Sequence, residues 1–262
     1  MKTIKDHVAI VTGSATGVGA ATAIQFAERG CNVVINYTKS VDEAKQTQAE
    51  CEKHGVGTLL CQADVSDNAA CQSMVAEAIN TWGRVDYLVN NAGTTKFVEH
   101  SQLDGLDKED FLRIYSVNTV GPFQMSRAVE PHMRKQGAGA IVNVASMAAL
   151  AGTGSCIAYA ASKGALVTMT LSLARALGPH IRVNAVCPGF IEGRWLMNGM
   201  GAEKYEAVRG YRAGASALGA NSTPEDVADA ILYFSTAAGL VTGETIKVDG
   251  GHHLGKSTFA QR

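Results

Sequence analysis

A doubly wound α/β sheet is the architecture this sequence predicts, on three observations. Short Val- and Ile-rich runs alternate with longer helical stretches along nearly the whole chain. Those runs are apolar at consecutive positions, the pattern of strands covered on both faces, as parallel strands are. No Pro/Ser-rich linker, compositional break or fixed-period repeat divides the 262 residues, a length that one α/β unit commonly reaches. The expectation is a single domain over 1–262, with a mainly parallel, seven-stranded sheet and helices on both faces.

The elements follow in order. His7-Val8-Ala9-Ile10-Val11-Thr12 reads as a buried strand stopped by Gly13. Apolar residues at 18, 21, 24 and 26–27 trace a helical face from Gly17 to Arg29, ended by Gly30. A strand over 32–36 and a polar helix from Ser40 to about His54 come next, then a strand over 58–63. Ser66-Asp67 caps a helix lasting to about Trp82, with Gly83 closing it, and 86–90 is the fourth strand. A long helical region spans roughly 108–136, with Pro122 and Pro131 as bends. A strand over 140–144, a small-residue helix over 157–177 and a strand over 181–186 follow. Thr223 caps a last helix opened by Pro224, and 245–248 closes the sheet.

Composition excludes several classes. The chain is 46% hydrophobic and 18% charged, enough to bury a sizeable core. Lys plus Arg is 23 against 24 for Asp plus Glu, a net of −1, so no global field draws it to nucleic acid or an anionic membrane. No apolar run is read as approaching the ~18 residues of a membrane span, and the N-terminus has charge without an apolar stretch behind it. A cytoplasmic protein is expected. The six cysteines lack Cys-x-x-Cys or zinc-like spacing and read as free thiols, buried or at the surface. His252 and His253 read as a surface pair near the terminus, and no metal site is expected.

Thr12-Gly13-Ser14-Ala15-Thr16-Gly17-Val18-Gly19 joins the first strand to the first helix. Glycines there let the backbone turn sharply and approach a pyrophosphate, while the helix N-terminus supplies free N–H groups. Tyr159 and Lys163 are i and i+4 on a helix and so share a face. Lowering a tyrosine from its usual value of ~10 by two to three units takes about 3–4 kcal/mol. A cation about 4 Å away at an effective dielectric near 20 supplies about that much.

The glycine turn, Asn90-Asn91-Ala92-Gly93, Asn118, Ser146, Tyr159-x-x-x-Lys163 and Pro188-Gly189 together resemble the short-chain dehydrogenase/reductase family, over about residues 5–251. The branch most similar is that of the 3-oxoacyl-carrier-protein reductases. The resemblance implies a Rossmann-type fold and an NAD(P)-dependent oxidoreductase interconverting a ketone and a secondary alcohol. Ser146 and Tyr159 would act on the reacting oxygen, Lys163 on the phenolate and nicotinamide ribose, and Asn118 on a water of a proton relay. Residues Gly13, Ser14, Ala15, Thr16, Gly17, Val18 and Gly19 would meet the pyrophosphate. Asp64 and Val65 would meet the adenine, and Asn91, Ala92 and Gly93 would run beneath the adenosine ribose. Pro188, Gly189 and Ile191 would face the nicotinamide. Many relatives carry Thr a few residues on; here Gly193-Arg194 stands, so either Arg194 binds a phosphate or the loop orders only with ligand.

Cofactor choice is expected at the end of the second strand. Tyr37, Thr38, Lys39 and Ser40 bring no carboxylate before Asp42, and Asn36, Thr38 and Ser40 offer donors beside the charge of Lys39. NADP is therefore favoured, with NAD as the alternative. The segment of about 193–222 has six glycines among apolar side chains and reads as a substrate lid, or as a surface loop with one short helix. Arg134-Lys135 offers a basic cluster for an acyl-carrier protein. A homotetramer is expected from apolar strips on the helices near 108–136 and 157–177, which build dimers and 222 tetramers in the family resembled. The alternatives are an NAD-linked polyol, sugar or hydroxysteroid dehydrogenase and, from another class, a non-catalytic cofactor sensor.

Overall fold

The computed structural model describes residues 4–255. Its strands and helices are β1 (Val8–Val11), α1 (Gly17–Glu28), β2 (Asn32–Tyr37), α2 (Val41–Glu52), β3 (Thr58–Gln62), α3 (Asn68–Trp82), β4 (Tyr87–Asn90), α4 (Lys108–Tyr115), α5 (Gly121–Gln136), β5 (Gly139–Val144), α6 (Ala148–Ala151), α7 (Ile157–Leu177), β6 (Ile181–Pro188), α8 (Arg194–Met200), α9 (Ala202–Ala215), α10 (Pro224–Leu232) and β7 (Thr245–Val248). The seven strands lie in the order β3-β2-β1-β4-β5-β6-β7, every pair parallel.

Strand periodicity divides the core into two layers. Ala9, Val11, Val33 and Ile35 face one side, where they meet Phe26 of α1 and Val227 and Ile231 of α10. Val8, Ile10, Val34 and Leu88 face the other, against Met74 of α3, Met125 and Met133 of α5 and Ala174 of α7. A fully buried Phe26 or Ile10 is worth about 1.5–3 kcal/mol over an exposed one. Both faces are dry, which is why these strands read as continuous apolar runs.

Local chemistry sets the helix ends. Asp67 accepts from Ala69 N and Ala70 N at the start of α3, and Gly83 ends it with a left-handed backbone. Thr223 and Asp226 form a reciprocal capping box at α10. The helical region of 108–136 breaks at a π turn, Ser116–Val120, while Pro122 sits in the first turn of α5 and Pro131 is carried inside it.

The switch in strand order lies between β1 and β4, so the carboxyl ends of the strands open a crevice there. One further helix bears on the sequence expectations. Alone among the described residues, α7 is long and apolar enough by length and composition to cross a membrane, contrary to the reading that no run approaches a span. It packs on β6 and carries a buried lysine, Lys163.

Candidate active site

The turn after β1 is built by its own polar groups. Thr12 Oγ1 accepts the N–H groups of Asn91 and Ala92 at 3.0 Å and donates to Val89 O at 3.2 Å. Asn91 Nδ2 donates to Thr12 O and Gly13 O, both at 2.9 Å. Ser14 Oγ donates to Val11 O at 2.7 Å and accepts from Asn36 N at 2.9 Å. Asn36 Oδ1 accepts from Gly13 N, and its Nδ2 donates to Cys61 O and Ala63 O. Ser14 and Asn36 are thus buried and hold the ends of β1, β2 and β3 together; Asn36 also lines the cleft below, and Ser14 does not.

Gly13 has φ +62°, and a Cβ on it would lie 2.9 Å from Ala92 Cα. A Cβ on Gly19 would lie 2.3 Å from Gly13 O, so Gly19 packs beneath the turn rather than in the cleft. Gly13, Ala15, Thr16, Gly17 and Val18 line a cleft of about 1590 Å³. A concave backbone that side chains would fill, at the N-terminus of the 12-residue α1, fits a pyrophosphate.

Beyond that turn Tyr37, Thr38, Lys39, Asp64 and Val65 line the cleft, as do Asn91, Ala92 and Gly93. Ser40 does not; it takes the N-cap position of α2. Asp64 Oδ1 accepts from Ser66 N and Ser66 Oγ. Glu43 of α2 also enters the cleft, 3.7 Å from Arg194 across it. The Arg194 guanidinium therefore meets a carboxylate in this structure.

Ser146, Tyr159 and Lys163 open into the same cleft, beside Pro188, Gly189 and Ile191. A buried polar chain sets α7 on the sheet: Asn90 Nδ2 donates to Asn143 Oδ1, and Asn143 Nδ2 to Thr170 Oγ1, each at 2.9 Å. Lys163 Nζ donates to Val144 O at 2.7 Å and lies 5.8 Å from the centroid of the Tyr159 ring. Ser146 Oγ accepts from Ala148 N at 3.1 Å.

Electrostatics here are dominated by burial rather than by the Lys163 charge. Burial pushes Tyr159 up to about 12, against a smaller downward pull from Ser146. Burial brings Lys163 down to about 8. Desolvation penalises phenolate and ammonium alike, and Lys163 spends a donor on Val144 O. Without a cofactor, Tyr159 is an acid that keeps its proton.

Asn118 is fully buried in the π turn and does not line the cleft. Its Oδ1 accepts from Thr94 N at 2.8 Å, and its Nδ2 donates to Thr94 O and Ser162 Oγ at 3.0 Å. Both Nδ2 hydrogens are engaged, so the side chain has no donor left for a relay water.

The segment after Ile191 forms two helices, α8 and α9, rather than one short helix in a loop. Trp195 packs 6.2 Å from the Tyr159 ring and 5.8 Å from Phe97, and Tyr205 packs on Phe190 while its hydroxyl accepts from Gly193 N. Trp195 belongs to the apolar side chains of the segment read as a lid, whereas no motif marked Phe97 as a cleft residue. His252 and His253 also line the cleft: His253 Nδ1 lies 2.9 Å from Asp249, and His252 Nε2 lies 2.7 Å from Arg212. The expected surface pair therefore lies at the cleft, His252 partly buried and His253 exposed. Among the described residues no cluster of His, Cys, Asp or Glu could hold a metal, and all six cysteines are buried thiols.

Arg134 and Lys135 lie elsewhere. Arg134 pairs with Glu130, and the next residue, Gln136, bonds to Val85 ahead of β4. They stand at the amino edge of the sheet, a six-residue strand of about 20 Å away from Ser146.

Comparison with known proteins places this geometry. Residues 13–253 match the family model described as enoyl-(acyl carrier protein) reductase. The chain is 36% identical to an L-rhamnose 1-dehydrogenase (NAD(P)(+)) of a Sphingomonas species, over 97% of this chain and 99% of that one. It is 34% identical to a 3-oxoacyl-[acyl-carrier-protein] reductase of Thermotoga maritima, over 95% and 98%. A solved short-chain dehydrogenase/reductase structure from Burkholderia xenovorans superposes with TM-score 0.88 at 40% identity, covering 95% of this chain and 98% of that one. The chain belongs to the short-chain dehydrogenase/reductase family and is an NAD(P)-dependent oxidoreductase of CH–OH and C=O groups.

Proposed function

We propose that the protein reduces a ketone of a small, partly apolar compound to the secondary alcohol, with Tyr159 as proton donor. The observation that carries this is the convergence of Ser146, Tyr159 and Lys163 with the glycine turn in one cleft. A bound nicotinamide supplies or takes the hydride at the reacting carbon. Ser146 donates a hydrogen bond to the reacting oxygen, and Tyr159, protonated at neutral pH, gives that oxygen its proton. Lys163 is an ammonium below about pH 8 and offsets the charge left on Tyr159 as the proton departs. Asn118 is a positioning residue, tying the segment after β4 to α7.

Segment 193–222 is the lid of a single-domain enzyme, its α8 seated on Phe97 and Tyr159 through Trp195. Phe97, Phe190 and Trp195 favour a substrate with apolar bulk. Oxidation of a sugar, the activity named for the Sphingomonas relative, is the second reading, and that relative is what favours it. Buried, unpaired thiols suit the reducing cytoplasm.

NADP is preferred over NAD. Lys39 lines the adenosine end with no carboxylate partner among the described residues, and Arg194 balances Glu43. One cation gives a modest preference, on the order of 1–3 kcal/mol, or roughly five- to 150-fold. Lys39→Ala narrows the ratio of kcat/KM for NADPH over NADH; a parent enzyme that prefers NADH removes this assignment.

Tyr159→Phe tests the mechanism. Turnover of ketones is lost while fluorescence titration still shows cofactor binding, because the ring packing stays and only the acid goes. More than a few per cent of parent activity across the pH range would mean that another group gives the proton.

A further inference from the structure

We propose that the cleft holds a second polar point, an anion subsite built from Arg212 and aimed by His252, so that the substrate is a ketone or secondary alcohol carrying a carboxylate. This rests on Ser146, Tyr159 and Lys163 being the reacting end. Arg212 lies in the last turn of α9 and His252 in the turn after β7, and both line the cleft. That turn borders the proposed nicotinamide stretch: a Cβ on Gly189 would lie 2.6 Å from Asp249 Cβ.

The lid carries three arginines, and only one is without a carboxylate. Arg194 meets Glu43 at 3.7 Å, and Arg209 meets Glu192 at 2.9 Å and Glu206 at 3.4 Å. Arg212 meets an imidazole, its Nη1 2.7 Å from His252 Nε2, and no other partner among the described residues. The carboxylate of that turn, Asp249, is already taken by His253 N, His253 Nδ1 and Gly251 N.

An arginine offers only donors, so His252 Nε2 accepts and the ring proton sits on Nδ1. Nδ1 is buried with no acceptor. Leaving a buried donor unpaired is costly, so this ring is not placed to satisfy its own polar groups. What it does achieve is to hold one edge of a half-buried guanidinium and leave the rest unpaired at the cleft. A planar fork held in this way suits the two oxygens of a carboxylate. With the reacting carbonyl at Tyr159 and the apolar body along Trp195 and Phe190, the anionic end reaches Arg212.

The test pairs 3-, 4- and 5-oxo carboxylates with their methyl esters, using NADPH. The parent favours the acid at least tenfold in kcat/KM at the chain length that spans the two points. Arg212→Gln lowers the acid's kcat/KM at least tenfold, through KM, and the ester's by less than threefold. His252→Gln, which keeps an acceptor for the guanidinium, stays near the parent, and His252→Leu follows Arg212→Gln part of the way. Calorimetric titration of the oxo acids into the NADP-loaded protein gives an independent readout, with binding that Arg212→Gln removes. A parent that prefers esters, or an Arg212→Gln that weakens acid and ester equally, overturns the subsite and leaves the pair as a clasp for α9. Should no ketone be reduced, the catalytic reading falls by itself. The titration then decides alone: acid binding lost in Arg212→Gln sustains the subsite, and no acid binding overturns it.

Discussion

Lys163 shows what a single residue costs this fold. Its ammonium is buried, with its pKa brought from 10.5 down to about 8. Between pH 8 and 10.5 the unfolded chain holds more protons than the native one, so this lysine's contribution to stability rises with pH across that window. Below pH 8 the penalty stands in full, on the order of 3 kcal/mol. Lys163→Met keeps the length of the side chain and removes the charge. It also leaves Val144 O without its donor, which takes back about 1 kcal/mol. The variant is therefore expected to unfold a few degrees higher than the parent at pH 7 and to lose that margin toward pH 10. Calorimetry at the two pH values checks this, and a variant no more stable than the parent at pH 7 would show that the ammonium is not strained. A stability penalty at a reacting group is an ordinary exchange for activity.

At the scale of elements, what the sequence revealed and what it hid divide along one line. Strands such as Val8–Val11 were readable because burial on both faces demands apolar residues in a row, and caps such as Asp67 and Thr223 because a cap is a local bond. The break at Ser116–Val120 was not readable as a π turn, because its Asn118 bonds to Thr94 and Ser162, 24 and 44 residues away. For the same reason, spacing puts Tyr159 and Lys163 on one face, but only the fold says how dry that face is. Helices α8 and α9 hid behind their glycines, one of which makes a contact that no local pattern encodes. A Cβ on Gly199 would lie 1.9 Å from Phe97 Cε2. Helix propensity alone favours alanine there by about 1 kcal/mol, so Gly199→Ala separates the two effects. It is expected to unseat α8 from Phe97 and raise KM for the ketone several-fold, leaving cofactor affinity within about twofold. Unchanged steady-state KM would mean that α8 does not shape the substrate site.

At the scale of the whole molecule, exposed large apolar side chains gather on neighbouring elements. Phe111, Leu112, Tyr115, Val120 and Phe123 are exposed along α4, the π turn and the start of α5, with Leu171 on the neighbouring α7. The apolar α7 is only one-third buried within its own chain over its most apolar stretch. A core helix would be covered, so a second copy of the same face is the cover we assign, across a two-fold axis. Leu240, Ile246 and Leu254, before, on and after β7, are exposed as well, and we assign them to a second contact between copies. Two self-complementary patches need two axes, and two perpendicular two-folds generate a tetramer with 222 symmetry. The expected outcome by light scattering is a homotetramer at micromolar concentration. Leu240→Glu with Leu254→Glu reduces it to a dimer, and Phe111→Glu with Phe123→Glu reduces it to a different dimer, since each pair removes one axis and spares the other. A monomeric parent would mean that these faces are covered by something other than this chain.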